Sequence, residues 1–254
     1  MATISRRAWN RYIARLRQLS DIAADAVKEY IETHDMNEEG ALYALIDYAY
    51  ALATKYGEGS AALACEMYDA MSALGGSLVP SAMPAPTATK STVAKAINGT
   101  IFQNSEVTAG AIGRLVKLAG VDTMQQNAIR DGYEWAWIPS GDTCAFCITL
   151  ASRGWQTASK KALKDGHAEH VHANCDCTYA IRPPNSTLDV EGYDPEAYKE
   201  MYDDADGDNS KQKINYMRRE IYAENADEIN AQKRSAYEKQ KERESSEAEE
   251  MNVS

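Results

Sequence analysis

The sequence predicts a predominantly helical α+β protein, with a helical arm at the N-terminus, a small cysteine-bearing β module and a long C-terminal helix. Three patterns predict it. Apolar residues recur at helical spacing from Trp9 through Ile13, Leu16, Leu19, Ala23 and Ala26 to Tyr30. Two short runs alternate with the period of a strand, Tyr133-Glu134-Trp135-Ala136-Trp137-Ile138 and Cys175-Asp176-Cys177-Thr178-Tyr179-Ala180-Ile181. After Pro183-Pro184 the helical pattern returns.

A first helix is expected over 5–34, with Ser5 at its start. A second spans 37–56, where Gly57 stops it, and a third runs from the cap Ser60 to Gly75-Gly76. Cys65 lies within it and reads as a small buried hydrophobe. Residues 79–90 carry three prolines among small polar residues and read as a linker between an N-terminal helical domain, 1–78, and the rest of the chain. Helices over 92–103, 105–119 and 122–130 come next, with Ser105 and Asp122 as caps and Gly120 and Gly132 as stops. The first strand run comes after them, so 91–184 form a unit of helices and β module. In the last segment, 185–254, Asp194-Pro195-Glu196 is a cap, a first-turn proline and a first-turn acid. A helix then ends near Tyr202. A longer one is expected over 210–241, with a stripe of Ile214, Met217, Ile221, Ala226, Ile229 and Ala236 too sparse for a self-sufficient core. Residues 242–254 have the composition of a disordered tail.

The net charge of −11 argues against a general nucleic-acid coat, which needs lysine and arginine to displace counterions. The charge is uneven. Residues 1–20 hold Arg6, Arg7, Arg11, Arg15 and Arg17 and no acid, whereas the chain from Leu188 onward is acidic. No stretch has the apolar length of a membrane helix, and the first residues lack the apolar core of a signal peptide.

The chemistry is concentrated in one segment. Cys144-Ala145-Phe146-Cys147 is followed, after 24 residues, by His172-Ala173-Asn174-Cys175-Asp176-Cys177. Zinc takes four thiolate or imidazole ligands in a tetrahedron. Cys144, Cys147, His172, Cys175 and Cys177 are therefore the candidate ligands of a structural zinc, with His170 and His167 close by, and which four bind is left open. Three of the four histidines fall in 167–172. Pairing of the two strand runs would bring the C-x-x-C turn beside the second cysteine pair. A redox C-x-x-C is a weaker reading, because the βαβ setting of a thioredoxin-type motif is missing. Two enzyme readings compete. His167-Ala168-Glu169 matches the H-x-E of zinc deaminases, but there it precedes a P-C-x-x-C, and here the order is reversed. An HNH-type nuclease would need an Asp-His pair ahead of the metal, which is absent. In the acidic loop 203–209 an EF-hand fails at the glycine and final glutamate positions, so at most a weak cation site is expected.

Taken together, Gly132-Tyr133-Glu134-Trp135, Asp142-Thr143-Cys144-Ala145-Phe146-Cys147, Leu150-Ala151-Ser152-Arg153-Gly154 and the closing His172-Ala173-Asn174-Cys175-Asp176-Cys177 resemble the MuF-like minor head proteins of tailed bacteriophages. The run from Ile229 to Tyr237 resembles the tail of the same proteins. The resemblance covers about 92–237, and His167 and His170 stand outside its pattern. It implies a non-enzymatic virion protein in the phage head, made in the host cytoplasm. Its expected partners are the portal or major capsid protein, with a possible contact to packaged DNA through the Arg-rich N-terminus. Its role would be head assembly or DNA delivery.

Overall fold

A computed structural model describes residues 2–140, 143–159 and 175–227, together with 230, 231 and 234. The elements are β1 (Thr3–Ile4), α1 (Arg6–Thr33), α2 (Ala41–Leu74), α3 (Lys90–Thr100), α4 (Ser105–Asp131), β2 (Glu134–Ile138), α5 (Ala145–Ala151), β3 (Gln156–Thr157), β4 (Thr178–Arg182), β5 (Asp189–Val190), α6 (Pro195–Asp204) and α7 (Ser210–Glu224). The fold is predominantly helical α+β, as the sequence predicts. Among the described residues, no helix is long and apolar enough to cross a membrane.

Helix α1 starts where expected. Ser5 caps it, its hydroxyl accepting from the Ala8 amide at 3.2 Å. Trp9, Tyr12, Ile13, Leu16, Ser20, Ala23 and Val27 form one buried stripe. That stripe packs on α2 and α4. Residues Trp9, Tyr12, Leu63, Tyr68, Met71, Met124, Trp135, Trp137, Tyr179 and Ile181 all belong to one core. The first two long helices therefore share their interior with the sheet. Segment 79–90 runs along α2 and α4, held by side chains. The amides of Ala82, Met83 and Ala85 donate to Asp69, Asn127 and Thr123 at 2.8–2.9 Å.

Two expected breaks do not occur. Helix α2 continues through Gly57, and α4 continues through Gly120. Both glycines serve close approach instead of termination. A Cβ on Gly57 would lie 3.0 Å from Thr87 Cγ2, and one on Gly120 would lie 2.7 Å from Ser60 Oγ. Without those carbons, helices and linker pack backbone to side chain. Ser60, expected as a cap, is the buried partner of Gly120. The expected stop at Gly132 does occur: it is left-handed at φ 66°, and the Tyr133 amide returns to the Ala128 carbonyl at 2.9 Å.

Because α4 is continuous, Asp122 is an interior residue of the helix and not its cap. Burial pushes its carboxyl from 3.8 up to about 6. The neutral acid is thus favoured in the folded state. The resulting cost is absent below about pH 4 and complete above about pH 6, so stability falls as pH rises through that window. Asp122→Asn should stabilise the protein by on the order of 2 kcal/mol at pH 8 and by nothing at pH 4. Chemical denaturation at the two pH values checks it, and an equal effect at both would contradict the burial argument.

The sheet has the order β3-β2-β4, antiparallel throughout. Trp135 faces Ile181 and Trp137 faces Tyr179 across the β2–β4 ladder. The Tyr179 ring lies 5.1 Å from Trp135 and 4.8 Å from Trp137, centroid to centroid. The aromatic face predicted from the alternation is therefore formed by the predicted partner. Asp194 caps α6, accepting from the Ala197 amide at 3.1 Å. Helix α7 ends at Glu224, where Asn225 leaves helical geometry. Its stripe of Ile214, Met217 and Ile221 packs on Ala145 and Ile148 of α5, a partner within the chain. The expected extension to 241 and tail from 242 lie largely or wholly outside the described residues, as does most of 229–237.

Candidate metal centre

Strand β2 delivers the chain to α5, and β4 brings the second cysteine pair back alongside. Cys144 is the N-cap residue of α5, and Cys147 sits in its first turn. Cys175 and Cys177 immediately precede β4. The Sγ atoms of Cys147, Cys175 and Cys177 lie within 4.8 Å of one another, and all three residues are buried. Cys147 and Cys175 approach to 3.4 Å. Tetrahedral zinc with thiolates at about 2.3 Å would separate its sulfurs by about 3.8 Å, so the donors fit a single ion. Cys144 is hydrogen-bonded to Cys147, so a fourth sulfur lies beside that thiol, outside the group of three that are mutually within 4.8 Å. No other such group of three ligand side chains occurs among the described residues. His172, His170, His167 and Glu169 lie outside them.

The electrostatics of the cluster favour protonated thiols when no cation is bound. Hydrogen bonds with Cys144, then with Cys175 and Cys177, together with burial, push the Cys147 thiol far above its ordinary value. At Cys177 the bond with Cys147 pulls downward, but Cys175 and burial outweigh it and the thiol is pushed up to about 12. The Ser140 amide also donates to Cys177 Sγ at 3.4 Å. Thiols crowded this closely keep their protons, and a bound divalent ion reverses that balance. The C-x-x-C does open a helix after a strand, but β2 pairs antiparallel with both β3 and β4, so the parallel setting of a thioredoxin-type motif is absent there.

A family model described as VG15 protein matches residues 3–205. The chain belongs to the VG15 family. It is thus a viral protein of the kind phages carry, and the match spans β1 through α6, with all the cysteines. The family region therefore includes the two long N-terminal helices, which lie outside the stretch covered by the sequence resemblance. No curated protein and no solved structure matches the chain.

In this VG15 protein, the residue between the second pair of thiols is itself held. Asp176 receives Lys117 Nζ from α4 at 3.0 Å and Arg17 from α1 at 3.2 Å. Lys117 also donates to the Cys175 carbonyl at 3.2 Å. Neither cation is signalled by the sequence pattern, because Lys117 and Asp176 are 59 residues apart. At the end of α6, where the acidic loop begins, Lys213 donates to the carbonyls of Tyr202 and Asp203 at 2.9 and 3.0 Å, so those oxygens are occupied by an ammonium group.

Proposed function

We propose that this VG15 protein is a structural, non-enzymatic minor head protein of a tailed phage, of the MuF-like type. In this reading it sits at the portal or inner capsid and acts in head assembly or DNA delivery. Its β module is stapled by one zinc drawn from Cys144, Cys147, His172, Cys175 and Cys177, with His170 a further candidate. The observation that carries the structural reading is the enclosure of the thiols. Cys147, Cys175 and Cys177 are 1%, 4% and 5% exposed, inside the main core. A catalytic zinc keeps an open position for water, whereas a structural zinc is closed by its four ligands. Bound there, the ion would hold the α5 turn against the start of β4.

Helix α1 supplies the contact surface. Arg7, Arg11 and Arg15 recur every four residues on one side, all exposed, with Arg15 3.6 Å from Glu66. The first turn holds no acid, so Arg7 stands at the positive end of the helix macrodipole. Such placement costs about 0.3–1 kcal/mol per charge. Charges set against the dipole favour an external use, in docking on the portal or capsid protein or on packaged DNA. The competing reading is a zinc-dependent enzyme acting on nucleic acid, an HNH-type nuclease or a deaminase-like protein with Glu169 as its acid.

Quantitative mass spectrometry of purified virions tests the proposal. The protein should be present in particles, and the double variant Arg7→Glu, Arg11→Glu should fold normally yet be recovered several-fold less. Absence of the wild-type protein from virions would refute the head-protein reading. Unchanged recovery of the variant would refute the docking role of α1.

A further inference from the structure

Among the described residues, the segment that presents Cys175 and Cys177 is tied to the helices by charged side chains. It precedes β4, so the β2–β4 ladder, which begins at Thr178, does not reach it. Lys117 Nζ binds both the Cys175 carbonyl and the Asp176 carboxylate, at 3.2 and 3.0 Å. Arg17 reaches the other carboxylate oxygen at 3.2 Å. The side chains of Lys117 and Asp176 are only 12% and 20% exposed. An ammonium group that sheltered costs free energy unless it is paired, so this is more than a surface ion pair. Ile13, Leu16, Leu118 and Val121 line the same hollow as Lys117 and Asp176. Apolar walls of that kind strengthen the charge–charge attraction.

We propose that Lys117 and Arg17, acting through Asp176, are positioning residues for the metal centre, fixing two of its thiolates on the helical bundle. The inference rests on the zinc reading above. Metal retention and the packing of α1 on α4 are thereby linked: the ion holds the strand entry, and the two helices hold the ion's ligands. Partners of this kind around a metal typically set its affinity by 10–100-fold.

Competition with a chromophoric zinc chelator, on the full chain, tests this. Lys117→Met and Asp176→Asn should each weaken zinc binding by about 10–100-fold. Lys117→Arg, which keeps the charge, should recover most of the affinity. Arg182→Met removes a comparably buried pair, with Glu134 at 2.6 Å, at the opposite end of β4. It should lower the unfolding temperature while leaving zinc affinity unchanged. With cobalt in place of zinc, the thiolate charge-transfer band should shift in Asp176→Asn and not in Arg182→Met. Asp176→Asn changes charge at nearly constant shape, so it keeps the test decisive even if Lys117→Met fails to fold. Wild-type affinity and an unshifted band in Asp176→Asn would overturn the positioning role while leaving the zinc site standing. A wild-type protein that binds no zinc would overturn the zinc reading itself, and this inference with it.

Discussion

Serine in place of Cys147 should strip zinc from the protein and remove the cooperative unfolding of its β module. Cys147 is hydrogen-bonded to three other sulfurs, those of Cys144, Cys175 and Cys177. Losing it leaves three cysteine sulfurs in the segment and a buried hydroxyl where a thiolate belongs. The bound metal fraction, measured by elemental analysis, should fall from about one per chain to near zero. Linkage gives the scale of the stability loss. A ligand at a thousand times its Kd stabilises the folded state by about 4 kcal/mol, and the variant forfeits that. A chelator should reproduce the effect in the wild type and add nothing to the variant. Glu169→Gln provides the contrast. If the metal is structural, Glu169→Gln phage assembles and infects normally while Cys147→Ser phage fails. Loss of function in Glu169→Gln, with zinc and fold retained, would replace the structural reading with the enzymatic one.

The second large effect concerns Trp9. It is completely buried, and its neighbours in the core include residues of α2, α4 and the sheet. Trp9→Ala should cost about 3–5 kcal/mol, since the surrounding helices cannot collapse into the space of an indole ring. For a protein this size that amounts to roughly 10 °C in unfolding temperature. The helical signal in the far ultraviolet and the aromatic signal of the sheet should fall together, because both rest on one core. If only the helical signal moves, the N-terminal helices are a separate domain bounded by the proline-rich segment.

Much of the candidate site is legible in the sequence. Alternation at Trp135, Trp137 and Tyr179 predicts a shared face, and burial then forces the two strands together. Once they pair, the cysteines that flank them have to meet. The breaks expected at Gly57 and Gly120 fail for a definite reason. A glycine in a helical pattern marks either a stop or a close approach, and the sequence shows only the missing Cβ. What decides between them is the atom opposite, Thr87 or Ser60, and each comes from another part of the chain. Asp122 shows the same ambiguity, since aspartate suits a cap until the helix proves continuous. Lys117 and Arg17 carry no local signal at all. Their meaning arises only when α1 and α4 lie side by side beneath Asp176.

The short parallel pair of β1 and β5 has a consequence for how the chain is made. Ile4 and Val190 sit in register, and the Arg6 amide reaches the Glu191 carboxylate at 2.7 Å across 185 residues of sequence. At ordinary translation rates of about 5–20 residues per second, a ribosome needs roughly 10–40 s to cover that distance. Throughout that interval the start of α1, with its arginines, has no strand to clip onto. Closing so long a loop carries most of its entropic cost before any contact returns it, which makes this clasp a late event in folding. The nascent protein therefore passes through a stage in which the start of α1 can pack on α2 and α4 but lacks this clasp, which closes only after the last strand of the β module has been made.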